Sequence, residues 1–148
     1  MEISKSFLFE AAHRLPNHQG KCRNIHGHNY KIVISIQGDL NDNDMVIDFG
    51  DLSPLKDIVD RDFDHAIILS NSDPLVKHEA FSKVLSEFNL KHIVISGEPT
   101  AENLAKYFFR QFYSFIAGKN LNLSKVVIYE NLTSKASYTF KDYELDRM

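Results

Sequence analysis

The chain has 148 residues, 43% hydrophobic and 25% charged, and its 17 basic and 20 acidic side chains give a formal net charge of −3. That length suits one domain, residues 1–148, which buries about 70% of its unfolded surface, so a core needs no disulfide or structural metal and any metal is more naturally functional. The slight acidity excludes a broad field for nucleic acid or an anionic membrane, and with neither a long apolar run nor a signal-peptide layout the chain reads as cytoplasmic.

In chain order, Ile3 to Phe9 alternates imperfectly, and Tyr30, Ile32, Ile34 and Ile36 alternate cleanly with Lys31, Val33, Ser35 and Gln37. Both read as half-buried strands. "GDLNDND" is dense in turn formers, and the "MVIDF" that follows reads as a third antiparallel strand, so a three-stranded meander is expected to open the fold. Ser53 and Pro54 start a helix with Leu55, Ile58 and Val59 at helical spacing. Asp73 and Pro74 start a second, striped by Phe81, Val84, Leu85 and Phe88. Thr100 caps a third, whose face of Ala101, Leu104, Ala105, Phe108, Phe112 and Ile116 runs to Gly118. "KVVIYE" and "ASYTFKDYEL" read as a closing hairpin. Strands, then helices, then strands imply an α+β fold with helices on one face of an antiparallel sheet.

The segment "CRNIHGHNY" concentrates chemistry. At the entry to a strand, the i, i+2 spacing of His26 and His28 points both imidazoles to one face, with Gly27 leaving backbone room between them. His13, in "FEAAHRL", can join them from the adjacent strand. Three histidines with an open fourth position describe a catalytic zinc, whereas a polar strand entry is the plainer reading of the pair alone. Cys22, the only cysteine, has no intrachain disulfide partner. It reads as a fourth zinc ligand closing the site, or as a thiolate whose pKa nearby positive charge lowers. The polar, basic surroundings "GKCRN" argue against a buried apolar role.

Asp64 directly before His65 can orient and tune a proton relay. Glu130 ends an apolar strand, where a carboxylate is either solvated or pairs with the N–H edge of a guanidine-like heterocycle. The helix N-terminus at Thr100 leaves N–H groups free for a ligand.

Taken jointly, "FEAAHRL", "CRNIHGHNY", "MVIDFGDL", "DFDHAI", "EPTAENLA" and the Glu130 strand end resemble the 6-pyruvoyl-tetrahydropterin synthase and 6-carboxy-tetrahydropterin synthase family over nearly the whole chain. The resemblance implies the tunnelling fold: a four-stranded antiparallel sheet backed by helices that trimerises into a barrel, usually pairs into a hexamer, and places active sites at subunit interfaces. It makes His13, His26 and His28 the ligands of a Zn2+ ion, Cys22 the general base, Asp64 and His65 the rest of the relay, and Glu130 the anchor of the pterin ring, helped by Thr100. The substrate implied is 7,8-dihydroneopterin triphosphate, with Lys21, Arg23 and Arg14 as candidate phosphate cations by position. In the carboxy branch, which serves queuosine synthesis, a retro-aldol cleavage expels acetaldehyde. The Asp73 to Gly97 segment and the compact "GEPTAENLAKYF" resemble bacterial carboxy enzymes more than animal pyruvoyl synthases.

Three other readings stand beside this one. A pyruvoyl synthase would release no acetaldehyde. A non-catalytic zinc protein would close its site with Cys22. A nucleic-acid module would use "YFFRQFY", although those aromatics fall at the helical spacing of a core.

Overall fold

The computed structural model describes all 148 residues. Its backbone is a long hairpin: β1 (Glu2–His13) pairs antiparallel with β2 (His26–Gln37) in unbroken register, from Glu2 opposite Gln37 to His13 opposite His26. The inward row is apolar, with Phe7, Phe9 and Ala11 on β1 and Tyr30, Ile32, Ile34 and Ile36 on β2, all buried. The alternate residues Ser4, Ser6, Leu8 and Glu10 lie exposed on the other face. The alternation is that of a sheet with one face packed and one open.

Four more strands extend this hairpin into a six-stranded sheet of order β4-β3-β1-β2-β5-β6. On one side, β3 (Ala66–Ser70) runs parallel to β1, and β4 (His92–Ile95) parallel to β3. On the other, β5 (Asn122–Tyr129) and β6 (Lys135–Thr139) continue antiparallel. The expected four-stranded antiparallel sheet is therefore a six-stranded mixed one. "AIILS" and "HIVI" are short runs rich in apolar residues: β3 is buried nearly throughout and so shows no alternation, and the four residues of β4 are too few to show a period.

The helices are α1 (Ser53–Asp62), α2 (Pro74–Lys77), α3 (Glu79–Glu87), α4 (Ala101–Ala117) and α5 (Phe140–Leu145). As its spacing requires, α4 buries Leu104, Ala105, Phe108, Phe112 and Ile116, together with Phe109, against the inward face. Phe108 centres an aromatic cluster: its ring lies 4.6 Å from Phe63 and 5.9 Å from Phe9, and Phe9 stacks on Tyr30 at 4.9 Å. Such pairs stabilise beyond their buried area.

Four expectations change. "MVIDF" forms no strand: β5 already occupies the free edge of β2, so Val46 and Ile47 pack into the core from a loop and Phe49–Leu52 turns as a 3-10 helix. The second helix breaks at His78, whose extended backbone (ψ 115°) separates α2 from α3. Of its stripe only Leu85 is buried, and Phe88 is 70% exposed. Helices also do not keep to one face, because Val76 and Leu85 sit over Leu69 and Val94 on the side opposite the main core. Finally, the closing hairpin is shorter than read: Thr139 and Asp142 form a reciprocal capping box that turns Phe140–Leu145 into α5.

Phe108→Ala should cost about 3–5 kcal/mol in urea unfolding. Leu132→Ala, at a fully exposed side chain, should stay within about 0.5 kcal/mol of the parent.

Candidate metal centre and active site

The hairpin register assembles the histidines. His13 pairs with His26 and Ala11 with His28, and directly opposed residues share a face, so all three imidazoles extend the inward row beyond Phe9 and Tyr30. Their ring centroids lie 4.6, 5.1 and 4.9 Å apart, and one ligand nitrogen from each falls within 4.8 Å of the others. His13 is almost wholly buried, while His26 and His28 are half-buried. Gly27 is not needed as a spacer, since a Cβ there would meet the Ala11 carbonyl at an ordinary 3.5 Å.

Hydrogen bonds at the far side of two rings set their tautomers. His13 Nδ1 lies 2.7 Å from the Pro99 carbonyl and His26 Nδ1 lies 2.8 Å from that of Asn24. A carbonyl only accepts, so each Nδ1 carries the proton and donates. Both Nε2 atoms are then lone-pair donors, and they face each other at 3.1 Å. Nε2 of His28 is buried and makes no hydrogen bond, with Glu130 Oε1 3.5 Å away. Two unprotonated nitrogens facing each other, with a third imidazole converging on them, suit a cation: ligands at about 2.05 Å in a tetrahedral site stand about 3.3 Å apart. Burial holds the His13 and His28 imidazoles below the ordinary histidine range, which keeps the ligating form neutral.

Cys22 is not one of the converging groups. It sits half-buried on a 3-10 turn, Lys21–Arg23, between two exposed cations. Its carbonyl accepts from Leu15 N at 2.8 Å, which pinches the loop between β1 and β2 so that Cys22 returns close to the chain leaving His13. Arg14 is committed elsewhere, its Nε 3.1 Å from the fully buried carboxylate of Asp73.

Asp64 and His65 occupy the connection from α1 to β3. Asp64 Oδ1 accepts from Glu10 N and its Oδ2 from His65 Nδ1, both at 2.9 Å. The Glu10 amide first, and His65 second, hold the Asp64 carboxyl below the usual carboxylate range. His65 adopts φ +59°, an uncommon left-handed conformation for a residue other than glycine. A shallow hollow of about 350 Å³ joins its ring to His28 across Ala12 and Gly27.

Glu130 stands just past β5, at the rim of a cleft of about 660 Å³ that also takes in His28, Asn29, Lys31 and Tyr129. Lys31 and Lys135 place their ammonium groups 4.1 and 5.3 Å from the Tyr129 ring centre. Thr100 caps α4, its hydroxyl accepting from Asn103 N at 3.3 Å, and the carbonyl just before it, that of Pro99, is the one that orients His13. Three contributors escape sequence reasoning. Tyr30 looks like a core residue by parity, yet its hydroxyl lies 3.2 Å from His13 Nδ1, and burial with the nearby Glu130 charge pushes its phenol pKa up. The carbonyls of Asn24 and Pro99 have no side-chain signature at all.

Known proteins resemble this chain along nearly its whole length. The 6-pyruvoyl tetrahydropterin synthase family model matches residues 2–141. The chain is 34% identical over 142 residues to the 6-carboxy-5,6,7,8-tetrahydropterin synthase of Haemophilus influenzae, covering 93% of this chain and 97% of that one. Among solved structures, an uncharacterized protein from Wolinella succinogenes superposes with a TM-score of 0.82 at 23% identity, covering 95% of this chain and 98% of that one. The 6-pyruvoyl tetrahydropterin synthase of Caenorhabditis elegans superposes at 0.68 with 26% identity, covering 94% of both chains. With the family model spanning nearly all of its length, the chain belongs to the 6-pyruvoyl tetrahydropterin synthase family.

Proposed function

We propose that the chain is a zinc-dependent 6-carboxy-5,6,7,8-tetrahydropterin synthase, working as one domain that converts 7,8-dihydroneopterin triphosphate to 6-carboxytetrahydropterin, acetaldehyde and triphosphate. The observation that carries the reading is the trio of inward-facing imidazoles with the Glu130 carboxylate beside it, in a chain whose curated relatives bear that enzyme name. His13, His26 and His28 are the residues that would hold zinc. When bound there, the ion supplies Lewis acidity that polarises the oxygens of the substrate side chain and acidifies the adjacent C–H.

The remaining work falls to the chain's own groups. Glu130 accepts hydrogen bonds from the N–H edge of the pterin, helped by Thr100, which directly follows the Pro99 carbonyl that orients His13. Cys22, between Lys21 and Arg23, is the base that takes the carbon-bound proton, since neighbouring cations favour a thiolate. Asp64 keeps the proton on Nδ1 of His65 and leaves Nε2 to pass a proton to or from the substrate oxygens. Lys21 and Arg23 are the exposed cations placed to meet the triphosphate. Arg14 has its Nε engaged by Asp73, which makes it the weakest of the three candidates.

The sheet also supports an oligomer. Over β1 and β2 the face bearing Leu8, Glu10 and Asn29 is exposed, and both edge strands, β4 and β6, carry unpaired backbone groups on their outer sides. We infer a homotrimer closing into a barrel, or a pair of trimers, in which Asp64 and His65 of one copy serve the Cys22 of the next. The closed, non-catalytic zinc site loses ground, because Cys22 stands outside the converging ligands.

Cys22→Ser should keep its zinc, read by elemental analysis, and lose acetaldehyde release by at least about 100-fold. Loss of the metal with the thiol, in a parent protein that turns over no substrate, would instead establish a structural site. His28→Ala should lose the zinc itself. Glu130→Gln should raise KM by about 10- to 100-fold, the effect of removing a charged hydrogen-bond acceptor. A wild-type protein that consumes the substrate without forming acetaldehyde would be a pyruvoyl synthase. Light scattering should give a mass at least three times the 17.0 kDa of one chain.

A further inference from the structure

One ammonium group ties the segment between β3 and α4 to the Asp64–His65 turn. Lys91 Nζ donates to the carbonyl of Asp64 at 2.6 Å and to that of Asp60, in the last turn of α1, at 2.7 Å. A cation is favoured there because helix C-termini leave carbonyls unpaired and carry partial negative charge. The main chain of Lys91 is held as well, its carbonyl accepting from Ile67 N at 3.0 Å. Ile67 lies two residues beyond His65, so Lys91 grips the connection on both sides of that histidine.

The peptide joining Asp64 to His65 is thereby fixed at both ends. Its N–H donates to the Glu10 carbonyl at 2.6 Å and its C=O accepts from Lys91. That peptide leads into the left-handed backbone of His65, a conformation that persists only where its surroundings over-determine it. Rotation of the peptide would withdraw the His65 N–H from Glu10 and move the imidazole off the Asp64 carboxylate. Lys91 does not act on these groups mainly through its charge: the Asp64 carboxyl is depressed by the Glu10 amide, then by His65, and the acid that feels Lys91 is Asp62.

We infer that Lys91 is a positioning residue for the proton relay, bracing the Asp64–His65 peptide so that the imidazole is presented in one orientation. The inference rests on the reading of Asp64 and His65 as that relay. It also gives the segment bearing α2, α3 and β4 a part in the chemistry, because Lys91 immediately precedes β4.

The test compares Lys91→Met, which keeps the apolar stem without the donor, and Lys91→Arg, which keeps a donor, with His65→Ala and the Lys91→Met/His65→Ala double variant. In Lys91→Met, kcat for acetaldehyde release should fall about tenfold, with KM and zinc content unchanged, as expected when a reacting group is misplaced rather than removed. Lys91→Arg should restore most of kcat. In the His65→Ala background, Lys91→Met should change the residual rate no further, because the two act through one group. Independently of turnover, hydrogen exchange at the His65 amide should quicken about tenfold in Lys91→Met and return towards the parent value in Lys91→Arg. Unchanged kcat or unchanged His65 exchange in Lys91→Met would overturn the inference, as would a loss shared by KM and zinc content or one that persists undiminished without His65. Full activity in His65→Ala would remove the relay reading itself, a failure distinct from that of Lys91.

Discussion

Twelve consecutive antiparallel pairs between β1 and β2 decide where every other part of this protein can go. The pairing aligns one parity of β1 with one parity of β2, and that shared face becomes the floor of the core. Its last rungs are the histidines. Because side chains alternate strictly along a strand, a slip of one residue would turn His26 and His28 to the open face while His13 stayed inside. The apolar rungs, Phe7 opposite Ile32 and Phe9 opposite Tyr30, are what make such a slip costly, since it would expose the same row that α4 covers. The geometry of the three imidazoles is therefore maintained by hydrophobic burial some distance along the same hairpin.

That arrangement also explains how polar groups tolerate the edge of a core. A buried polar atom is costly unless it is hydrogen-bonded. At the end of this sheet the far nitrogens of His13 and His26 are satisfied by main-chain carbonyls, one from the start of α4 and one from the loop before β2. The near nitrogens are left without protons, which would be a liability in a metal-free core and is an asset in a site that takes a cation. The outer partners thus do two jobs: they offset desolvation and they select the tautomer that can ligate. Tyr30 belongs to the same device, with its ring stacked on Phe9 and its hydroxyl directed at His13.

The two halves of the sheet contribute differently. The antiparallel half, β2, β5 and β6, carries Glu130 and the cleft beside Tyr129. The parallel half, β3 and β4, brings Asp64 and His65 alongside β1 and supplies the lysine that braces them. The first half announces itself in the sequence most clearly at β2, whose apolar and polar residues alternate. The second does not, because β3 lies between two strands and both β3 and β4 are short and mostly apolar, too short to show a period. For the same reason "MVIDF", as apolar as a strand, was free to become a loop once β5 had taken the edge it would have needed.

The sequence by itself determined the chemistry on offer: which residues carry imidazoles, the thiol and the carboxylates, where α1 and α4 begin, and that the two parities around Phe9 and Tyr30 would bury one face. Those features are local, since they depend on side-chain type, on caps and on spacings of two or about 3.6 residues that a chain expresses wherever it folds. Only the tertiary structure decided which of these groups meet. The approach of the Pro99 carbonyl to His13, of Glu130 to His28, and of Lys91 to the Asp64 carbonyl spans 86, 102 and 27 residues of chain. Contacts over such separations arise from strand order and from main-chain atoms that every residue possesses, and neither leaves a pattern of side chains to be read in advance.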